Sequence, residues 1–414
     1  IGGNDGMLHA FNASTGVESW AYIPSMLLPN LYKLADKNYS SNHVNYVNAT
    51  PKTGDAYFDS AWHTILIGGL GGGGRGFYAL DITTPASPSV LWEFSYDTSK
   101  TTGYTTDADL GYSYGIPVIT KLSDGTWVVI VSSGYNNVSP GTGHGMVWIL
   151  NAKTGAIIKK IDTGAGSSSA AVSGCSTAPC PAGLAQLSAY VDSASTNNLA
   201  LRLYGGDLLG NVWRIDISAL TAADAASTTV TPQLLATLAD ASSTRQPVTT
   251  RPELGYSNGN YLVFVGTGEL LGLSDLTSTQ TQSIYAIKDP LTTSTATTGL
   301  YGSPRSNPCS SSTKTNCFVK QTLSDSGGVR TATSTVSYAV DLGTMYGWFA
   351  DLPESGERMT TDMDLQLGTL AFTTNIPTTS TGCSVGGSSY LNYFSYTTGL
   401  AVGTSTSTGV LLSS

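Results

Sequence analysis

The sequence predicts an all-β fold: a single β-propeller of about seven blades with long loop insertions. Two observations carry this. A strand–turn–strand phrase ending in an aromatic anchor recurs along the chain, and the composition suits a large domain with a weakly charged surface. The phrase first stands at Gly3–Trp20, GNDGMLHAFNASTGVESW. Asn4-Asp5-Gly6 supplies residues that accept the positive φ of a tight turn. Met7–Phe11 reads as a strand, Thr15-Gly16 as the next turn, and Val17–Ile23 as a second strand with Trp20 and Tyr22 on one side.

Further copies follow in order. Gly76–Asp81 leads to Leu91–Phe94, and Gly145–Leu150 leads through Thr154-Gly155 to Ile157-Ile158. Gly210–Asp216, Ser283–Lys288, Ser337–Asp341 and Ser389–Gly399 complete the series. One copy cannot bury both faces of its small sheet, whereas copies set radially around an axis can. Their spacing exceeds the ~40–50 residues of a compact propeller repeat, so loops are inserted. These inserts are placed at 24–45, 165–190, 219–245 and 299–335, and residues 1–414 are read as one propeller domain. Arg75, Tyr78, Trp148 and Trp213 are expected on strands or near the axis.

The 414 residues are ample for a large core. Charged residues make up 11%, and the 22 tyrosines outnumber the 19 lysines and arginines. Such a surface is polar without being highly charged, as is common in exported proteins. A net charge of −9 gives no basic field to draw in phosphates, which argues against a nucleic-acid partner. No apolar run reaches the ~18 residues of a membrane span. The chain opens in mid-strand without Met and is read as a piece of a longer exported precursor.

Between the copies, the segment after Pro24 leaves the propeller, with a short helix expected at Met26–Lys37. Asp55–Phe58 and His63–Gly68 are strands, the second an apolar run suited to a buried position. Gly68–Gly76 is glycine-rich but lacks the Gly-Lys-Ser/Thr ending of a phosphate loop and leads into a strand. It reads as a hairpin or a close approach of backbones. Asp97, Asp107 and Asp109 lie in a Thr-rich loop, where Asp107-Ala108-Asp109 is either a cation pair or a set of solvated turn acids. Gly115–Ile119 pairs with Trp127–Ser132, and Tyr190-Val191 with Leu201–Tyr204. Ala219–Ala241 is low in complexity. Tyr261–Gly266 and Leu370–Thr374 open later blades, and Gly299–Thr335 is a Ser/Thr-rich insert.

Of five cysteines, Cys175 and Cys180 bracket one turn-rich loop, and Cys309 and Cys317 another. Both pairs are expected as local disulfides in an oxidising compartment. A zinc site made from both would require two distant loops to meet, with no His beside either pair. Cys383 is left over, either free or paired outside these residues.

Two resemblances follow from these motifs. Ala10–Trp20 resembles the repeat of quinoprotein propellers, in which Ala-x-Asp-x-x-Thr-Gly precedes Trp; Asn12 stands at the Asp position. The motif caps and docks blades. A longer set occurs in order: GGNDGMLHAFNASTG, NHVNYVNATPKTGDAYFDSAWHTILIGGLGGGGRGFYALDIT, LGYSYGIPVI, LYGGDLLGNVWRIDIS, RQPVTTRPELG and YLVFVGTGELLG. Together these look like the C-terminal propeller of the PilY/PilC family of type IV pilus proteins. The likeness spans the chain and is loosest beyond Gly299.

That resemblance implies an exported protein, extracellular at the pilus tip or outer cell surface, preceded by a variable and often von Willebrand A-like region. It implies minor pilins as partners, assembly support by opposing retraction, twitching motility, and attachment to host or abiotic surfaces. Several members carry a calcium loop, Asp-x-Asn-x-Asp-x-x-x-Asp, before a Tyr-x-Gly-Asp strand; calcium needs about 6–8 oxygens closely spaced. Here YVDSASTNNLALRLYGGD stands in that place. The ligand positions fall on Ser193, Ser195, Asn197, a carbonyl near Leu199, and Leu201, and starting at Asp192 recovers one carboxylate. Asp192, Ser195 and Asn197 are the candidate calcium residues; the alternative is a plain hairpin held by Asn197-Asn198.

The rival class is a periplasmic quinone-cofactor (PQQ-type) dehydrogenase. It would need Ca²⁺, an Asp general base and cations for the cofactor acids. Many such enzymes carry a vicinal Cys-Cys pair, which this chain lacks. The four histidines, His9, His43, His63 and His144, follow no metal-binding spacing and read as structural or surface residues. No catalytic residue or organic cofactor is expected.

Overall fold

The computed structural model describes residues 1–100, 102–193, 195–378 and 386–412. The fold is all-β, joined by short 3₁₀ turns. The chain packs as two compact units, Ile1–Leu203 with Ile215–Pro232, and Tyr204–Arg214 with Gln233–Ser414.

In the first unit, β1 (Leu8–Phe11) and β2 (Glu18–Tyr22) form a two-stranded sheet. A five-stranded sheet follows, in chain order: β3 (Lys52–Phe58), β4 (Ala61–Gly69), β5 (Gly76–Asp81), β6 (Ser89–Ser95) and β7 (Tyr104–Thr106). The next sheet has the order β11-β10-β9-β8, built from β8 (Val118–Lys121), β9 (Trp127–Ser132), β10 (Met146–Asn151) and β11 (Ile157–Asp162). The Ile65–Gly69 half of β4 and β10 read as apolar runs because both faces are covered there. Ile65, Ile67, Phe77, Phe94, Val129 and Trp148 meet in one core. Leu8, Leu27, Tyr46, Leu66 and Tyr78 meet in another.

β12 (Leu187–Val191) lies in the first unit, and the division of the chain falls within β13 (Ala200–Gly206) and β14 (Asn211–Asp216). In the second unit, β14 pairs with β15 (Gln233–Thr237). The remaining strands are β16 (Glu253–Ser257), β17 (Asn260–Gly266), β18 (Ser283–Asp289), β19 (Phe318–Ser326), β20 (Val329–Ser334), β21 (Gly347–Asp351), β22 (Asp364–Gln366), β23 (Thr369–Ile376), β24 (Ser388–Ser395) and β25 (Gly409–Leu412). They run as one ten-stranded sheet, β16-β17-β18-β21-β19-β20-β25-β24-β23-β22. Its core holds Phe264, Trp348, Phe372 and Phe394.

Two copies of the recurring phrase close their hairpins with the same hydrogen bonds. Asn12 Oδ1 accepts from Ser14 N and Thr15 N, and Asn151 Oδ1 accepts from Lys153 N and Thr154 N, all at 3.0–3.1 Å. Asn thus does the work of the Asp usual at this position, since only its oxygen is used. Gly155 and Gly399 close their turns at φ 69°. A Cβ at either would strike an indole ring, Trp92 and Trp348 respectively. Those indoles donate to Ala152 O at 2.9 Å and to Tyr396 O at 3.0 Å. One turn-on-tryptophan clasp therefore serves in each unit.

Three expectations are corrected. Ser337–Asp341 is not a strand: Asp341 instead nucleates a turn by accepting Gly343 N at 2.9 Å, and Tyr338 reaches back to Ser310 O at 2.7 Å. The strand lies just beyond, at β21. The 299–335 insert is not all loop: β19 and β20 form a hairpin, and Phe318–Gln321 lies parallel to Gly347–Ala350, which joins strands expected to be separate. The segment expected as a helix at Met26–Lys37 is a 3₁₀ series, Ser25–Ala35, with Pro24 at its start and Pro29 inside it. Pro29 lacks the N–H that an α-helix interior needs.

Candidate functional site

Of the proposed calcium residues, Asp192 and Asn197 meet each other. Asn197 Nδ2 donates to Asp192 Oδ2 at 3.3 Å, and Asp192 N donates to Leu199 O at 2.9 Å. Ser193 gathers the turn: its carbonyl accepts Asn197 N and Asn198 N at 2.8 Å, and its hydroxyl accepts from Thr196 at 2.7 Å. Ser195 Oγ lies 3.5 Å from Ser193 Oγ. Asn198 takes a left-handed φ of 47°, and Thr120 Oγ1 donates to its carbonyl at 2.7 Å, which seats the tip on β8. The loop offers one carboxylate, and the Leu199 carbonyl is already engaged. That donor set falls short of the oxygens calcium requires.

Asp107 and Asp109 come together around a cation of the chain itself. Lys160 Nζ, on β11, lies 2.8 Å from Asp107 Oδ1 and 2.7 Å from Asp109 Oδ2. Trp148 Nε1 donates to Asp107 Oδ2 at 3.1 Å, and Thr142 donates to Asp109 through both N and Oγ1. Burial pushes the Asp109 carboxyl up, but the Lys160 and Thr142 hydrogen bonds outweigh it and hold the group below its ordinary value. Asp97 stands apart as a turn acid that accepts Ser99 N and Oγ.

The glycine run ends β4 in a single 3₁₀ turn, Gly71–Gly73, and a side chain at Gly73 would strike the Tyr46 carbonyl. Close backbone approach explains the run. Beside it lies a cavity of about 380 Å³ bounded by Asn30, Lys33, Asn45, Arg75, Tyr96 and Lys100. Arg75 is anchored on Leu110 O at 2.7 Å and lies 4.4 Å from the Tyr96 ring centre. A second acid, Glu93, sits buried under the 3₁₀ segment and accepts Tyr22 OH, Ser25 N and Ser25 Oγ at 2.6–2.7 Å. Sequence reading missed Lys160, Glu93 and this cavity. The only local signal was Glu93 at a position of alternation otherwise apolar, LWEF.

The other named residues scatter. Tyr78 and Trp148 are buried on β5 and β10, and Trp213 on β14. His9 bridges Asp5 and Glu18, His63 pairs with Asp81, His144 with Asp162, and His43 packs on Tyr39. Cys175–Cys180 and Cys309–Cys317 are bonded. Cys383 lies outside the described residues. Among the described residues, no three His, Cys, Asp or Glu side chains are placed to hold a metal, and no helix is long and apolar enough to cross a membrane.

The PilY1 beta-propeller domain family matches residues 1–307. A Pseudomonas aeruginosa protein named type IV pilus biogenesis factor PilY1 is 35% identical over 314 residues, which are 70% of this chain and 25% of that protein. A Xylella fastidiosa protein named type IV pilus biogenesis factor PilY1 homolog is 30% identical over 413 residues, 94% of this chain and 25% of that one. The chain thus spans about a quarter of the length of the curated relatives it matches. The crystal structure of the Pseudomonas aeruginosa PilY1 C-terminal domain superposes with a TM-score of 0.72 at 25% identity, covering 100% of this chain and 86% of that one.

Proposed function

Because the chain belongs to the PilY1 β-propeller domain family, we propose that it is the propeller part of a protein at the type IV pilus tip. There it supports pilus assembly by opposing retraction, sustains twitching motility, attaches the cell to host or abiotic surfaces, and performs no chemistry. The observation that carries this is the family match over residues 1–307, together with relatives named for pilus biogenesis. The two bonded cysteine pairs suit an oxidising compartment outside the cytoplasm. The polar groups described above are spent on each other: Asp107 and Asp109 on Lys160, and Glu93 on Tyr22 and Ser25. Rigid sheets with long loops suit partner binding, since loops vary without loosening the strands that hold them.

Minor pilins are the partners of this reading, and the 192–201 hairpin keeps its shape without calcium. The test is deletion of the region encoding this chain, followed by counts of surface pili, twitching and adhesion. Lost pili that return when retraction is also disabled support an assembly role. Normal pili with normal adhesion overturn it. A quinone enzyme would instead show near-ultraviolet and visible absorption in the purified protein.

A further inference from the structure

The β3–β4 hairpin carries an aromatic corner that is open to solvent. Tyr57 and Trp62 are register partners across the hairpin and are 45% and 60% exposed. Their rings stand 5.4 Å apart at 64°, and Trp62 meets Trp127 of β9 at 5.6 Å and 73°. Trp92, Trp148, Trp213 and Trp348 are buried, so Trp62 departs from how this chain uses its indoles. Leaving such rings partly in water forgoes apolar burial that a ligand stacked on them would supply.

The border of the corner is polar. Asp55 and Thr64 are the next register pair on the same hairpin face, with Thr64 Oγ1 donating to Asp55 Oδ1 at 2.8 Å. At the hairpin end, Asp59 pairs with Lys153 at 2.7 Å, with side chains 57% and 45% exposed. The exposed rings of Tyr57 and Trp62, backed by the half-buried Trp127, stand next to carboxylate, hydroxyl and ammonium groups, a set that matches a pyranose. Its C–H face stacks on an aromatic ring while its hydroxyls bond the acids. A protein partner fits less well: three rings at ~150–250 Å² each fall short of the ~800 Å² per side of a stable protein interface. Asp55 and Asp59, in a chain of net charge −9, disfavour acidic sugars.

We propose that Tyr57, Trp62 and Trp127 form a binding site for neutral pyranose oligosaccharides. This deepens the attachment half of the proposed function. Its test reads binding in solution, so its failure leaves the assembly reading standing.

The 414-residue chain is titrated with cellohexaose, chitohexaose and a hexagalacturonate, followed by tryptophan emission and calorimetry. Saturable binding of at least one neutral probe is expected, with a change in emission. Trp62→Ala should weaken it about tenfold, and Tyr57→Ala by a smaller factor, as loss of one stacked ring implies. Melting temperatures should stay near that of the parent chain, because both rings are exposed. If Trp62→Ala fails to fold, Trp62→Phe and Tyr57→Ala carry the test, the first retaining and the second weakening binding. No saturable binding of either neutral probe up to ~10 mM, which corresponds to under ~3 kcal/mol, overturns the proposal. So does binding unchanged in both variants, or equal affinity for the hexagalacturonate.

Discussion

Asp109 in the first unit and Asp207 in the second are both buried turn carboxylates, yet their surroundings drive them in opposite directions. Asp109 is 6% exposed and Asp207 0%. Asp207 accepts from Leu209 N, Asn211 N, Asn211 Nδ2 and Trp213 Nε1, all at 2.9–3.0 Å. Burial nevertheless pushes its carboxyl up to about 6, against those four bonds. Asp109 has fewer neutral donors but touches Lys160 and is held low. Complete desolvation thus outweighs four hydrogen bonds and the nearby Arg245 charge at Asp207, whereas an ammonium at 2.7 Å together with the Thr142 hydrogen bonds more than offsets a partial desolvation at Asp109.

The largest test of this contrast is Asp207→Ala. It strips the acceptor from three backbone or indole donors in a buried turn, at about 1–3 kcal/mol for each donor left unsatisfied. Urea unfolding should show a loss of at least ~3 kcal/mol, more than Asp109→Ala, where Lys160 keeps Asp107. Equal costs would break the comparison.

The pH dependence should come next in size. Asp207 has its folded value above the unfolded value of ~4, so the folded state binds the extra proton between pH ~4 and ~6, and its contribution to stability falls as pH rises through that window. A rise from ~4 to about 6 corresponds to on the order of 3 kcal/mol at most. Asp109 is depressed, so its contribution is present above pH ~4 and is lost as pH falls below that. Stability measured from pH 3 to 8 should therefore lose the upper slope in Asp207→Asn and the lower one in Asp109→Asn.

Lys160→Met should cost less, about 1 kcal/mol, because Lys160 is 34% exposed and water takes over part of its role. It should also raise the Asp109 carboxyl above its ordinary value, read by NMR titration, and so convert it to the Asp207 type. The smallest effect is expected from chelation. The 192–199 turn is closed by its own hydrogen bonds, and the cation beside Asp107 and Asp109 is a lysine. Chelator should leave the melting temperature unchanged, and a drop of several degrees reversed by Ca²⁺ would refute this.

Local chemistry made much of the molecule legible in the sequence. Asn12 and Asn151 declare their turns within four residues, Thr-Gly ends them, and apolar runs such as TILIG mark covered strands. Cysteines five and eight residues apart close their own loops. Turn and strand preferences are short-range, so a few neighbours suffice to read them. Long-range register decided the rest. Lys160 reaches Asp107 and Asp109 across 53 and 51 residues. Trp62 meets Trp127 only because two separate sheets pack together, with β3 against β8 and β9. The insert after Gly299 becomes sheet because Phe318–Gln321 finds Gly347–Ala350. Neither the direction in which a buried carboxylate is driven nor the joining of ten strands has a local signature, because each depends on which distant group the packed chain brings within a few ångströms.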